Sequence, residues 1–421
     1  MKLTKESEKL MSMFIKNKCI SHSKQTHKTD NVLRQLYTDM RDADELIEAE
    51  KRRLGNSFYK LKVVDFKGNG VVVPRPTTFN ANSFPDDIKN HIDQNISKEL
   101  SYTFSLFGRS IRIRFFVENS NAELFIDKYN EYVDKMLMWL YIVNEYASKQ
   151  CATQLTIFIY FTDTHKQLPE SNLQVLDQTN INTAFTYTCP VNSEIVVFRK
   201  EEWFKVFIHE TFHNFALDFS DMSMDICNRK IKQIFDVESD INLFESYTEF
   251  WAKMLNSLFC SYQLLEDKTN EGEFLVNCEF FINFERTYGF FQLVKALDFM
   301  GLEYHDLYSK KANSKVLRDT MYKEKTNVLS YYIITMVLMN NYQLFIGLCN
   351  KNNLQLLQFK KTPSNLESFC DFIEKHYKTR SMLDGVKCAT VILSKLKKTA
   401  NKNATNQFAL KNMRMTICEL G

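Results

Sequence analysis

Glycine and proline are scarce: 10 and 6 of 421 residues, about 4% together against a usual ~12%. So few breakers argue against a many-turned all-β fold and favour long helices. No C-x-x-C pair or C/H finger spacing occurs among the ten cysteines (Cys19, Cys151, Cys189, Cys227, Cys260, Cys278, Cys349, Cys370, Cys388, Cys418). Scattered in this way they read as reduced, buried thiols of an intracellular protein. Neither charge sign dominates. With 54 basic and 51 acidic residues the net charge is +3, too near neutral to declare a nucleic-acid partner. The start, Met1-Lys2-Leu3-Thr4-Lys5-Glu6, lacks a hydrophobic leader core, so a cytoplasmic location is expected. One stretch, Thr326 to Asn350, has no charged side chain over 25 residues. It also holds Asn327, Asn340, Asn341, Gln343 and Asn350, amides that are costly in lipid. A buried core helix is expected there, with no transmembrane anchor.

What is present is ordinary globular material: 44% apolar, 25% charged and 14% aromatic residues, with 35 Phe. The length exceeds the roughly 250–300 residues at which one core stops growing, so two or more lobes are expected. Residues 1–55 read as a polar helical N-terminal arm with a stop at Gly55. Residues 56–200 change period. Strand-like runs (58–66, 110–117, 154–161, 183–188, 194–198) surround one helical pattern, 130–148, and Lys67-Gly68-Asn69-Gly70 reads as a hairpin turn to a return strand at 71–73. This is an α+β lobe: a mixed sheet with a covering helix. Residues 201–384 are helical by pattern. Residues 385–421 form a basic C-terminal tail with seven cations up to Cys418.

The chemistry lies in His209-Glu210-Thr211-Phe212-His213, an H-E-x-x-H match. Chance predicts about 0.02 such matches in this composition. Phe204, Phe207, Ile208, Thr211, Phe212 and Phe215 form an apolar face, and the two histidines fall together on another. Two imidazoles one turn apart can share a Zn²⁺, and Glu210 can reach a metal-bound water and take its proton. A ligand ten residues after His209 would be Phe219, which cannot ligate, and Ala216 stands where that arrangement needs a glycine for its turn. The third ligand is therefore sought on another helix. Glu245 is the better candidate and Glu249 the alternative; they lie one turn apart beside the apolar face of Phe244, Tyr247, Trp251, Met254 and Leu258. Glu249 is the natural acceptor for a histidine N–H, with Asp218, Asp225 and Asp240 competing.

These residues resemble the zincin metallopeptidases of the gluzincin type, which carry H-E-x-x-H on one helix and a glutamate, often as E-x-x-x-D, on a following one. Here the last position is Glu249. The resemblance spans roughly residues 100–260. It implies a zincin-like fold, a zinc cofactor held by His209, His213 and Glu245, catalysis through Glu210, and a protein or peptide substrate laid along an edge strand near 183–188. The segments 207–220 and 245–252 are also similar to uncharacterised proteins of large DNA viruses, which implies a virion or virus-factory location if the chain is viral.

An oxyanion donor is sought among Tyr187, Tyr288, His305, Tyr331 and Tyr332, with His305 and Tyr331 the leading candidates. Other readings stand beside these. The histidines could be satisfied core residues and the glutamates a solvated face. The scaffold could be an inactive structural or packaging protein. The tail could touch phosphate or nucleic acid, although a solvated helix end with a loose terminus is the simpler reading.

Overall fold

The structure, a computed structural model, describes residues 1–18, 20, 22–67, 72–80, 83–400 and 403–421. Most of the expected turn at 67–70, and Val71 after it, lie outside these residues. Val72 and Val73 are not strand.

A six-stranded mixed sheet is followed by a mainly helical region. The chain opens with helices α1 (Lys5–Lys16) and α2 (His27–Leu54). Gly55 ends α2 at φ 51°, the backbone region glycine favours. The sheet and its helices are β1 (Lys60–Asp65), α3 (Asp86–Asn95), β2 (Lys98–Leu106), β3 (Arg109–Val117), α4 (Ile126–Tyr146), β4 (Gln154–Phe161), α5 (Gln178–Ile181), β5 (Ala184–Thr186) and β6 (Asn192–Val197). The strand order is β1-β2-β3-β4-β6-β5. The inner pairs β3–β4 and β4–β6 are parallel; the outer pairs are antiparallel. Alternation along the strands serves both faces. Ile111, Ile113, Phe115, Ile157 and Ile159 join α4 in the main core, while Phe116, Phe158, Tyr160 and Val196 pack with Ile88 and Ile92 of α3 in a second cluster. Strand β2 was not expected, although Leu100, Tyr102 and Phe104 alternate inward along it.

The helical region comprises α6 (Trp203–Asn214), α7 (Asp225–Ile234), α8 (Leu243–Gln263), α9 (Glu271–Phe299), α10 (Ala312–Met321), a π-helical turn at Leu329–Ile334, α11 (Thr335–Asn340), α12 (Tyr342–Asn352), α13 (Pro363–His376), α14 (Arg380–Thr399) and α15 (Ala404–Lys411). Helix α8 contacts both α6 and α9, and all its residues from Ser246 to Tyr262 are buried. The charge-free stretch breaks at Asn341, where the segments Leu329–Asn340 and Tyr342–Asn352 meet at 91°. Its apolar half, Tyr331 to Met339, lies in the core. Among the described residues no single helix is long and apolar enough to cross a membrane.

The first 55 residues turn a charged face outward, while Leu10, Phe14, Leu33, Leu36, Tyr37 and Met40 are core residues. Two expectations are corrected. The basic tail is not loose. Lys387, Lys395, Lys397 and Lys398 are exposed on α14, while Met382, Ala389, Ile392, Leu393 and Leu396 are buried on its other side. Residues 412–418 are all buried, and Arg414 pairs with Glu419, 2.8 Å away. The cysteines are not all reduced. Cys151 and Cys189, 38 positions apart, form a disulfide just before the start of β4, and Cys388 is disulfide-bonded. Spacing could not show loops that fold two distant thiols together. The six free cysteines among the described residues are buried, but the argument from thiols to a reducing compartment no longer follows.

Candidate metal centre

Helix α6 is anchored from both ends of its motif. Phe204, Phe207, Ile208 and Phe212 are buried. Trp139 of α4 donates its indole N–H to Thr211 Oγ1 at 2.7 Å. This burial leaves the stripe of His209 and His213 facing α8. The helix ends in a Schellman turn: the Leu217 N–H bonds to Phe212 O and the Ala216 N–H to His213 O. Ala216 takes the left-handed conformation, φ 55°, without being glycine, at a cost of roughly 1–2 kcal/mol. That turn doubles the chain back and sets Asp218, fully buried, against His213 Nδ1. Ser220 donates its N–H and hydroxyl to the other oxygen of Asp218.

Helix α8 supplies the opposing carboxylates. Glu249 Oε2 lies 3.1 Å from His209 Nδ1, so His209 and His213 each have an acidic acceptor behind the ring. The forward nitrogens converge. His209 Nε2 lies 3.1 Å from His213 Nε2 and 3.1 Å from Glu245 Oε2, and His213 Nε2 lies 3.4 Å from the same oxygen. Ligands about 2.0–2.1 Å from a tetrahedral Zn²⁺ stand ~3.3–3.4 Å apart, so the spacing fits. The donor chemistry fits as well. With Nδ1 donating to Glu249 or Asp218, each neutral ring turns a lone pair forward, and the facing carboxylate oxygen adds more. Three lone-pair atoms repel unless a cation or protons lie among them. His209, His213 and Glu245 could therefore hold a metal ion.

The electrostatics follow from burial and these contacts. Burial pushes the histidines toward the neutral form. The hydrogen bonds of Glu245 and Glu249 to His209, and the charges of Asp218 and Glu245 beside His213, outweigh it and raise both. Burial raises Glu210, with the Glu245 charge adding to it and both histidines opposing. Burial also acts to raise Glu245 and Glu249, but it is overcome. His213 and His209 hold Glu245 well below the usual carboxylate range, and Lys205 and His209 do the same for Glu249.

Glu210 lines a cavity of about 30 Å³ with Asn182, Thr183, Ala184, Lys205, Tyr331 and Met415, room for a water or two at ~10–15 Å³ each. Of the oxyanion candidates, Tyr331 is at the cluster and donates to Glu245 Oε2 at 2.9 Å. His305 is exposed in the Tyr304–Leu307 turn with its ring against Tyr308. Tyr187 is exposed against Phe79, Tyr288 accepts from Gln292, and Tyr332 donates to Met413 O. Asp225 bonds Ser223 at the start of α7 instead of a histidine. Two partners escaped the sequence reading. Lys205, one turn before His209, donates to both oxygens of Glu249; its i−4 spacing was the available signal. Asn327 donates to Glu245 Oε1 at 3.4 Å from a segment 82 residues downstream, which no spacing rule reaches.

Compared with known proteins, the chain matches no family model, no curated protein and no solved structure.

Proposed function

We propose that this protein is a zincin-type, zinc-dependent hydrolase of peptide bonds. The reading rests on one observation: three lone-pair atoms at tetrahedral spacing, with a carboxylate behind each imidazole. His209, His213 and Glu245 would hold the ion, with Glu249 and Asp218 fixing the rings. Bound there, Zn²⁺ would polarise the scissile carbonyl and acidify a water. Glu210, beside the first ligand, would take that water's proton as the water oxygen bonds to the carbonyl carbon, and would pass it to the leaving nitrogen as the C–N bond breaks. Tyr331, whose hydroxyl donates to Glu245, would serve as the oxyanion donor by turning that proton to the substrate oxygen. Strand β5 ends the sheet, and Ala184 shares the Glu210 cavity; its outer edge suits an extended peptide.

Metal content by mass spectrometry tests the reading. Near one zinc per chain is expected in the wild type and in Glu210→Gln, and little in His213→Ala. Peptide hydrolysis should persist in the wild type and vanish in Glu210→Gln. Retained hydrolysis in purified Glu210→Gln would sink the mechanism. The small cavity favours a second reading, a metal-holding scaffold without turnover. A hydroxamate chelator separates the two, since it binds an open metal site and ignores a closed one.

A further inference from the structure

We infer that Lys205 is a positioning residue for the metal ligands: by clamping Glu249 it fixes the acceptor that orients the His209 ring, and so aims His209 Nε2 at the point where His213 and Glu245 converge. The inference rests on the metal reading above. Lys205, His209 and His213 recur at four-residue spacing and form one stripe of α6; Glu245 and Glu249 do the same on α8. The stripes meet antiparallel as a ladder. Lys205 Nζ lies 2.9 and 3.0 Å from the two oxygens of Glu249. His209 bridges Glu249 and Glu245, and His213 closes on Glu245. Lys205 and Glu249 are 2% and 1% exposed as side chains, so little water competes for either.

A fully buried ion pair is a poor way to gain stability, because desolvation offsets most of the attraction and well-packed apolar residues often serve as well or better. Its geometric effect is specific. Lys205 takes both Glu249 oxygens and so fixes the plane of the carboxylate, and with it the acceptor that orients His209. Without the lysine, Glu249 can turn away from His209 Nδ1 and release the ring, while apolar packing such as Phe204 on Phe259 and Phe212 on Tyr247 still holds α8 against α6. Glu245 Oε2 and His213 Nε2 lie 3.1 Å from His209 Nε2, so a turned His209 ring loses the convergence of the three atoms.

The experiment measures zinc affinity of the full chain by competition with a chromophoric chelator, together with the visible spectrum of the cobalt(II)-substituted protein. Lys205→Met should weaken zinc about 10- to 100-fold, the usual effect of losing a residue that orients a ligand, and should alter the cobalt bands. Lys205→Arg should restore most of the affinity. The Lys205→Met/Glu249→Gln double variant should bind zinc no more weakly than Glu249→Gln alone, because the lysine acts through the glutamate. This pair carries no unpaired buried charge, so it keeps the test intact if Lys205→Met fails to fold. Zinc affinity within threefold of wild type in Lys205→Met, or losses that multiply in the double variant, would overturn the inference and leave the metal reading standing. A wild type that takes up no zinc would overturn both.

Discussion

Ile417 stands four residues from Gly421, beyond a run of lysines, and is fully buried. Its N–H and the N–H of Cys418 donate to Glu285 Oε1 on α9, at 3.0 and 2.9 Å, which holds the strand-like terminus in the core. Replacing Ile417 by alanine removes three methyl or methylene carbons from a fully buried position. The cost should be about 2–5 kcal/mol, and Ile417→Val should cost roughly 0.5–1.5 kcal/mol. Lys398, exposed on the same cation-rich segment, serves as the control; its alanine variant should stay within about 0.5 kcal/mol. Urea unfolding followed by circular dichroism measures all three, with the midpoint shift read at constant slope. The graded order, Ile417→Ala well above Ile417→Val and Lys398→Ala near zero, is the signature of core packing. An Ile417→Ala variant as stable as wild type would show that the terminus is not docked. The same docking means that deleting residues 385–421 tests folding before it tests any phosphate contact; charge substitutions at exposed lysines are the cleaner probe.

Glu324 is raised from 4.5 to about 7, chiefly by burial. The native state thus holds this proton when the unfolded chain has lost it, and stability should fall as pH rises from ~4.5 to ~7, by up to about 3 kcal/mol. Glu324→Gln should flatten that limb of a stability–pH curve, and an unchanged slope would refute the assignment. Gly385 of α14 faces the Phe290 ring closely enough that a Cβ would overlap it. Gly385→Ala should therefore cost roughly 1–3 kcal/mol, although alanine in a helix interior otherwise gains up to ~1 kcal/mol; a higher melting temperature would contradict the close approach. The Cys151–Cys189 bridge closes a 38-residue separation, for which loop-closure entropy gives about 4 kcal/mol. Cys151→Ser should lower the unfolding midpoint accordingly, and an unshifted midpoint in non-reducing buffer would argue against the bridge.

Much of the candidate site was legible because helices turn spacing into adjacency. His209 and His213, and Glu245 and Glu249, are pairs at i and i+4, so each falls on one stripe whatever surrounds it. Asp218 was harder, since it meets His213 only through the left-handed turn at Ala216, a position whose side chain argues against that turn. Lys205 had the right spacing but carries the charge least expected beside a cation site. Its meaning appears only with Glu249 opposite. In the tail, composition misleads: the lysine-rich segment also carries the buried face of α14 and the apolar Met413, Met415 and Ile417.

By itself, then, the sequence determined what local periodicity and composition control. A mixed sheet precedes a helical region, His209, Glu210 and His213 lie on one helix, and a later helix carries a glutamate that could hold a metal ion with the two histidines. Tertiary structure alone decided which residues from distant segments meet. It set Asp218 behind His213, Glu249 between Lys205 and His209, and Tyr331 and Asn327 on Glu245. It joined Cys151 to Cys189 and drew the chain's end into the core. Adjacency within a helix follows from 3.6 residues per turn; contacts between segments follow from how whole apolar faces pack, which no single stretch of sequence records.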